Sequence, residues 1–240
     1  MYAIVVCLRG VYYTITVGKY PQQYTFSMIG LLTSNITLFI LGSVALILAI
    51  TFHEYAHAWM AVKLGDPTPK FQKRLTLNPL AHLDPLGTLL LFLVGFGWGK
   101  PVQFDPYNLE NPRKDTALVS LAGPVSNIIL ATIASIFFWV SNNVFPLPIS
   151  VEFIFIFIRM NLVLALFNLV PVHPLDGGKI LVGLLPPHEA RELDRFLNQY
   201  GMFILLILVF PIFGTSPVFT ILNPAINFLL QIYLPGLHFT

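Results

Sequence analysis

The stretch whose reading decides the fold is Leu38 to Leu64, LFILGSVALILAITFHEYAHAWMAVKL. Its first half is almost unbroken apolar sequence, and no Pro or turn signal interrupts it. It is long enough to cross a bilayer as one helix. Inside it stands the pentad His53-Glu54-Tyr55-Ala56-His57. Residues four apart on a helix differ by about 40° around the axis, so His53 and His57 share a face. Two imidazoles on successive turns can grip one zinc ion. Glu54 lies about 100° round from His53. There it is near a metal without being a ligand, the placement of a general base acting on water.

A bland alternative is a polar helix end at the lipid headgroups, since Trp59 and Lys63 follow closely and suit an interface. The setting argues against it. Ionisable groups within a span cost roughly 2.5–3.5 kcal/mol each on insertion scales and usually mark function. Three of them fall within five residues here.

Composition places the rest of the chain in the same solvent. Of 240 residues, 56% are hydrophobic and only 10% charged, against about 25% charged in a soluble domain. The net charge of +2 offers no extended positive field, so nucleic acid is excluded as a partner. The single Cys7 rules out an internal disulfide and a cysteine zinc site, so metal ligands must come from the six His and the carboxylates. Nineteen Pro and sixteen Gly imply broken helices and loops at membrane depth that line a cavity.

The expected fold is an all-α polytopic membrane protein with about five transmembrane helices plus a short re-entrant or hairpin segment. Span one, Leu38–Leu64, is entered from about Met28 and stopped by Gly65-Asp66-Pro67. Span two is about Thr116–Val140, with first turns distorted at Gly123-Pro124. Span three is Val151–Leu169, span four Phe196–Phe213 and span five Pro217–Leu234. Pro85–Trp98 is apolar but shorter than the roughly 17–25 residues a crossing needs, so it re-enters. KFQKRLTLN, in the polar stretch 66–84, carries a weak strand-like alternation. Residues 1–27 form an extension read as a strand or hairpin outside the first helix, or as an early start with Met28 the true beginning. Residues 28–240 form the membrane domain.

Most of the thirteen Lys and Arg fall between spans one and two (Lys63, Lys70, Lys73, Arg74, Lys100, Arg113, Lys114) or between spans three and four (Lys179, Arg191, Arg195). That side is expected to be cytoplasmic. The assignment requires Pro85–Trp98 to return without crossing. It puts His53, His57 and Asp176 at one membrane depth.

A catalytic zinc takes three protein ligands. Asp176 leads for the third, because it sits between an apolar span and Gly177-Gly178, where backbone approaches closely. Asp-Gly is also a strong turn dipeptide, and composition alone leaves the two readings open. His173 is a rival three residues away; Glu110 and Glu152 are weaker.

At these residues the chain resembles a known family. His53-Glu54-x-x-His57 in the first span, Leu121-Ala-Gly-Pro-x-x-Asn127 in the second, and Asn168-x-x-Pro171-x-x-Pro174-Leu-Asp176-Gly177 after the third resemble the site-2 protease family of intramembrane zinc metalloproteases. Leu75-Thr-Leu-Asn78-Pro79-x-x-His82-x-Asp84-Pro85 and Gly95-Phe-Gly-Trp-Gly-Lys-Pro-Val102 are similar to its compact prokaryotic branch, which lacks PDZ and nucleotide-binding modules. The resemblance covers roughly residues 38–233.

It implies one zinc ion per chain, held by His53, His57 and Asp176, with Glu54 as the catalytic base. It places Asn127 and Asn168 near the cleft, to hold substrate backbone or an oxyanion; the plain alternative is a helix-to-helix hydrogen bond. For Gly123-Pro124 close helix approach is favoured over chemistry. His82 and Asp84 organise the loop, and His188 and His238 are ordinary interfacial residues. The implied protein sits in a lipid bilayer, that of a prokaryotic plasma membrane, with its site opening toward the cytoplasm. Its substrates carry a transmembrane helix, which an edge strand in Pro85–Trp98 or the 66–84 loop holds unwound. A metal transporter and a catalytically silent helix-binding protein are the competing classes. Glu54 and the lack of repeated halves argue against the first, and the intact ligand set argues against the second.

Overall fold

Asn35 opens the first long helix by accepting the Leu38 N–H on its side-chain oxygen at 3.0 Å, which satisfies one of the donors a helix start leaves over. This helix, α1, runs Ile36–Lys63. Gly65, at φ +107°, supplies the left-handed residue that ends it. A computed structural model describes residues 5–7, 12–17, 20–25, 35–94, 96–144, 150–210 and 216–235. After α1 come α2 (Thr68–Phe71), α3 (Pro85–Val94), α4 (Pro112–Asn143), α5 (Val151–Asn168), α6 (Asp176–Leu184), α7 (Pro187–Val209) and α8 (Pro217–Tyr233). The described residues also form four short strands, β1 (Val5–Cys7), β2 (Tyr12–Val17), β3 (Tyr20–Thr25) and β4 (Phe96–Trp98), and single 3-10 turns at Pro79–Ala81 and Pro106–Asn108.

The fold is that of an all-α polytopic membrane protein. Among the described residues α1, α4 and α5 are long and apolar enough to cross a membrane, and they match the first three expected spans. Helices α7 and α8 cover the described parts of the other two expected spans. Helix α8 is apolar over 17 residues. Helix α7 begins with a polar half, Glu189 to Arg195, before its apolar half. Met28, His238 and the far end of span four lie outside the described residues.

Small residues set how closely the long helices approach. Along α1, Gly42, Ala45, Leu46, Ala49, His53, His57 and Ala61 recur at helical spacing, and all are buried. This is the face that α4 and α5 pack against. Short side chains bring backbones together where lipid provides no hydrophobic drive between helices. Helix α4 answers with Ser120, Gly123, Asn127 and Ala131 on its own buried face. It runs on through Pro124 without a break, although that residue has no N–H to return to Ser120. Helix α5 is the central one: 72% of its apolar stretch is buried, against 44% in α1 and 33% in α4.

Pro85–Trp98 turns back on itself. Leu83 pairs with Gly99, and the Lys100 N–H donates to His82 O at 2.8 Å, so the two ends of the segment meet. Helix α3, about 15 Å long, covers half of a 30 Å hydrocarbon core. Gly87 and Gly97 allow the return: a Cβ on Gly87 would lie 2.1 Å from Trp98 O, and one on Gly97 2.1 Å from Gly87 O. Asp84 accepts the Gly87 N–H at 2.7 Å, and His82 is buried with Nε2 2.7 Å from Thr76 O, so both organise the loop. β1 pairs antiparallel with β4, in the register Val5↔Trp98, Val6↔Gly97 and Cys7↔Phe96. β2 and β3 form a separate hairpin. The alternation in KFQKRLTLN does not become a strand; α2 and a turn take its place.

Asp66 ties this loop region to the end of α1. Fully buried, its carboxylate accepts from Thr68 N at 3.0 Å, Thr68 Oγ1 at 2.6 Å, Asp105 N at 2.7 Å and Asn108 Nδ2 at 2.8 Å. Burial pushes its pKa up, but these bonds outweigh burial and hold it below its ordinary value. The group therefore stabilises the fold fully above the free-aspartate value of 3.8, and that contribution is lost as pH falls through the lower folded value. Asp66→Ala is expected to cost about 2 kcal/mol by stranding the four donors, seen as a fall of roughly 5 °C in the thermal midpoint in detergent at pH 7. An unchanged midpoint would mean that water replaces the carboxylate at no cost.

Candidate metal centre

Helix α1 carries His53 and His57 on its buried face, with ring centroids 4.7 Å apart and the planes at 82°. Each ring is held from behind. The Nδ1–H of His53 donates to Asn127 Oδ1 at 2.5 Å, and the Nδ1–H of His57 donates to Val119 O at 2.7 Å. Both acceptors belong to α4. A carbonyl oxygen only accepts, so each Nδ1 carries the proton and each Nε2 presents a lone pair. The orientation of Asn127 follows in the same way, because its Nδ2 donates to Ala49 O at 3.0 Å and to Asn161 Oδ1 at 2.8 Å.

Asp176 reaches the same point from the first turn of α6. Its Oδ2 lies 3.1 Å from His53 Nε2 and 3.2 Å from His57 Nε2. Gly177 makes the approach possible, since a Cβ there would fall 2.3 Å from Leu169 O and 2.4 Å from Val170 O. Opposite, Gly123 leaves the space over the imidazoles clear: its Cβ would lie 2.4 Å from His57 Nε2 and 2.5 Å from His53 Nε2. Close helix approach and the site's chemistry are one requirement at this residue.

Three lone-pair donors thus face one another, all within 4.8 Å and all buried. Such a set is repulsive until a cation joins it. Ligand atoms on a tetrahedral zinc with bonds of about 2.0–2.1 Å sit roughly 3.3–3.4 Å apart. The two imidazole-to-carboxylate distances are close to that, and two His with one carboxylate is a donor set suited to zinc.

Beside these donors is a small pocket of about 20 Å³, room for one water molecule. Glu54, His57, Asp176, Ser120, Asn168 and Lys179 contribute to its walls. Glu54 is 1% exposed, and its Oε2 accepts the Val102 N–H at 2.9 Å. That bond spans from α1 to the loop after β4. Lys179, one turn along α6 from Asp176, rests its ammonium 5.3 Å from the centroid of the Phe104 ring.

The residues expected from the sequence divide clearly. His53, Glu54, His57 and Asp176 come together. Asn168 borders the small pocket and donates its Nδ2 to Leu164 O at 2.9 Å. Asn127 lies behind His53 rather than in the pocket, with both amide functions engaged. His173 is directed away: its Nε2 is 3.1 Å from Asp194 Oδ1. Glu110 is exposed in its loop, and Glu152 accepts from Ser150 Oγ at 2.6 Å at the start of α5. Sequence reasoning missed Ser120, Asn161, Lys179 and the Val102 N–H. Only Lys179 carried a visible signal, as a charge three residues beyond Asp176.

The chain is similar to several known proteins. The model for peptidase family M50 matches residues 147–211, the stretch that contains α5, Asp176 and α7. The Bacillus subtilis protein YwhC, whose name marks it as a zinc metalloprotease, is 40% identical over 197 residues, covering 79% of this chain and 89% of its own. Rip2 of Mycolicibacterium smegmatis, similarly named, is 32% identical over 190 residues, covering 73% of this chain and 69% of its own. Rip2 of Mycobacterium tuberculosis is 29% identical over 174 residues, with 68% and 63% covered. No solved structure matches the chain. A relative aligned along nine-tenths of its length, and a family model lying across the aspartate helix, lead to one conclusion: the chain belongs to peptidase family M50, the site-2 protease family.

Proposed function

We propose that the protein is an intramembrane zinc endopeptidase, hydrolysing peptide bonds within or next to the transmembrane segments of membrane-protein substrates. His53, His57 and Asp176 hold one zinc ion, and Glu54 is the general base. The observation that carries this reading is the meeting of three oriented lone-pair donors beside a buried glutamate. Relatives named as zinc metalloproteases support it.

Zinc bound there supplies a Lewis acid for the scissile carbonyl and lowers the pKa of water to about 7. The chain's own groups do the rest. Val102 N–H holds Glu54 Oε2, leaving Oε1 to accept a proton from the attacking water and return it to the leaving amine. Asn127 and Val119 O keep both imidazoles in the tautomer that presents Nε2. Ser120 and Asn168 border the pocket and can donate to the developing oxyanion.

A helical substrate hides its peptide bonds in i to i−4 hydrogen bonds and has to unwind before it is cut. β4 ends four residues before Val102, so a strand laid along it leads toward Glu54. Its pairing with β1 supports the reading that this edge accepts a strand. The distribution of Lys and Arg supports a site that draws water from the cytoplasm, in a prokaryotic plasma membrane. Residues 28–240 carry the activity.

In vesicles holding a model single-span substrate, Glu54→Gln is expected to lower kcat by roughly 10²–10⁴ while zinc content by elemental analysis stays at one per chain. Cleavage at the wild-type rate would remove Glu54 from the chemistry. Gly123→Ala tests the ligand set. In a helix interior Ala outranks Gly by about 1 kcal/mol, yet here the added methyl collides with both Nε2 atoms. The variant is expected to fold and lose its zinc. Retained zinc with full activity would mean that the metal lies elsewhere.

A further inference from the structure

A cavity of about 1000 Å³ opens directly beside the small pocket at Glu54. The two share Val102, Phe104 and Lys179 as walls, so a chain leaving the pocket enters the cleft. Its charges come from three helices. Arg113 stands in the first turn of α4, Lys179 in the first turn of α6 and Arg191 near the start of α7. The sole carboxylate among the described lining residues, Asp194, is already engaged by His173 at 3.1 Å. Arg113 also donates to Leu185 O, but a guanidinium has five N–H donors, so one such bond leaves others for the cleft. The positive end of the α4 dipole adds to the same field.

We propose that this cleft is a specificity site: it holds the cytoplasm-side flank of the substrate and selects flanks rich in Asp and Glu. The inference rests on the proteolytic reading above and adds the substrate class. Its logic is largely one of rejection. Cytoplasmic ends of membrane helices usually carry Lys and Arg. In this cleft such a flank meets like charge from three sides, whereas an acidic flank meets complementary charge. A protease embedded among many single-span proteins thereby passes over most of them. Its continuity with the pocket at Glu54, through Val102, Phe104 and Lys179, favours a polypeptide flank over a lipid headgroup as its occupant.

The test uses the full chain in neutral phosphatidylcholine vesicles with two single-span substrates that differ only in five flanking residues, Asp/Glu in one and Lys/Arg in the other. The acidic flank is expected to have about tenfold higher kcat/KM, equivalent to about 1.4 kcal/mol, and the gap should narrow as salt rises. Arg191→Glu should shrink the gap, and Arg191→Lys should restore it. Equal rates for both substrates, unmoved by Arg191→Glu, would overturn the specificity site and leave proteolysis standing. Cleavage of neither would overturn the proteolytic reading itself. A preference that appears only after phosphatidylglycerol is added would give the cations to lipid headgroups and also overturn the inference.

Discussion

Everything in this molecule depends on the cost of burying three lone-pair donors against one another. Two imidazole nitrogens, each 3.1–3.2 Å from one carboxylate oxygen and away from bulk water, repel it unless a cation sits among them. The fold supplies the fixed partners that this arrangement needs. Two fixed acceptors on α4 set the tautomers, and α6 brings the aspartate in along glycine backbone. Restricting the freedom of each donor in this way lowers the cost of ordering a metal site.

The same requirement governs where the small residues fall. Gly42, Ala45 and Ala49 bring α1 close to its neighbours, and Gly123 keeps the space over the imidazoles clear. The polar groups form a connected chain: His53 to Asn127, Asn127 to Asn161 and to Ala49 O, and Asn161 Nδ2 to Phe157 O at 2.8 Å. A buried amide left open would cost as much as its bond gains. Asn127 therefore acts through His53, as a positioning residue. On the loop side, Asp66 and the bond from Val102 N–H to Glu54 join the end of α1 to residues 102–108. Glu54 and the wall of the large cleft are thus held by one piece of backbone.

Much of the site was legible because its signal is local. A histidine pair at helical spacing costs too much within an apolar span unless it grips something, and Asp-Gly-Gly after a third span marks a close approach. The three helices long and apolar enough to cross a membrane, α1, α4 and α5, were legible from apolar length alone. The rest was not, for identifiable reasons. Ser120 is one hydroxyl among many until α4 is placed against α1. Asp66 looks like an ordinary turn residue, since its partners Asp105 and Asn108 are some forty positions away. KFQKRLTLN showed an alternation too weak to outlast the pull of Asp66 on Thr68. The pairing of β1 with β4 joins segments separated by most of the first hundred residues, and no local pattern announces it.

The sequence by itself determined the solvent, the first three spans and which four residues to look for at the proposed site. Periodicity and composition are properties of neighbouring positions, and the cost of burying charge in lipid restricts what a polar pentad in a span can mean. Only the tertiary structure decided which nitrogen of each histidine faces Asp176, that Asn127 holds the His53 ring, and that His173 is directed to Asp194 instead. It also decided that three cations from separate helices share one cleft. Those are relations between distant segments, set by helix packing at glycine and alanine contacts that pairwise spacing along the chain does not encode.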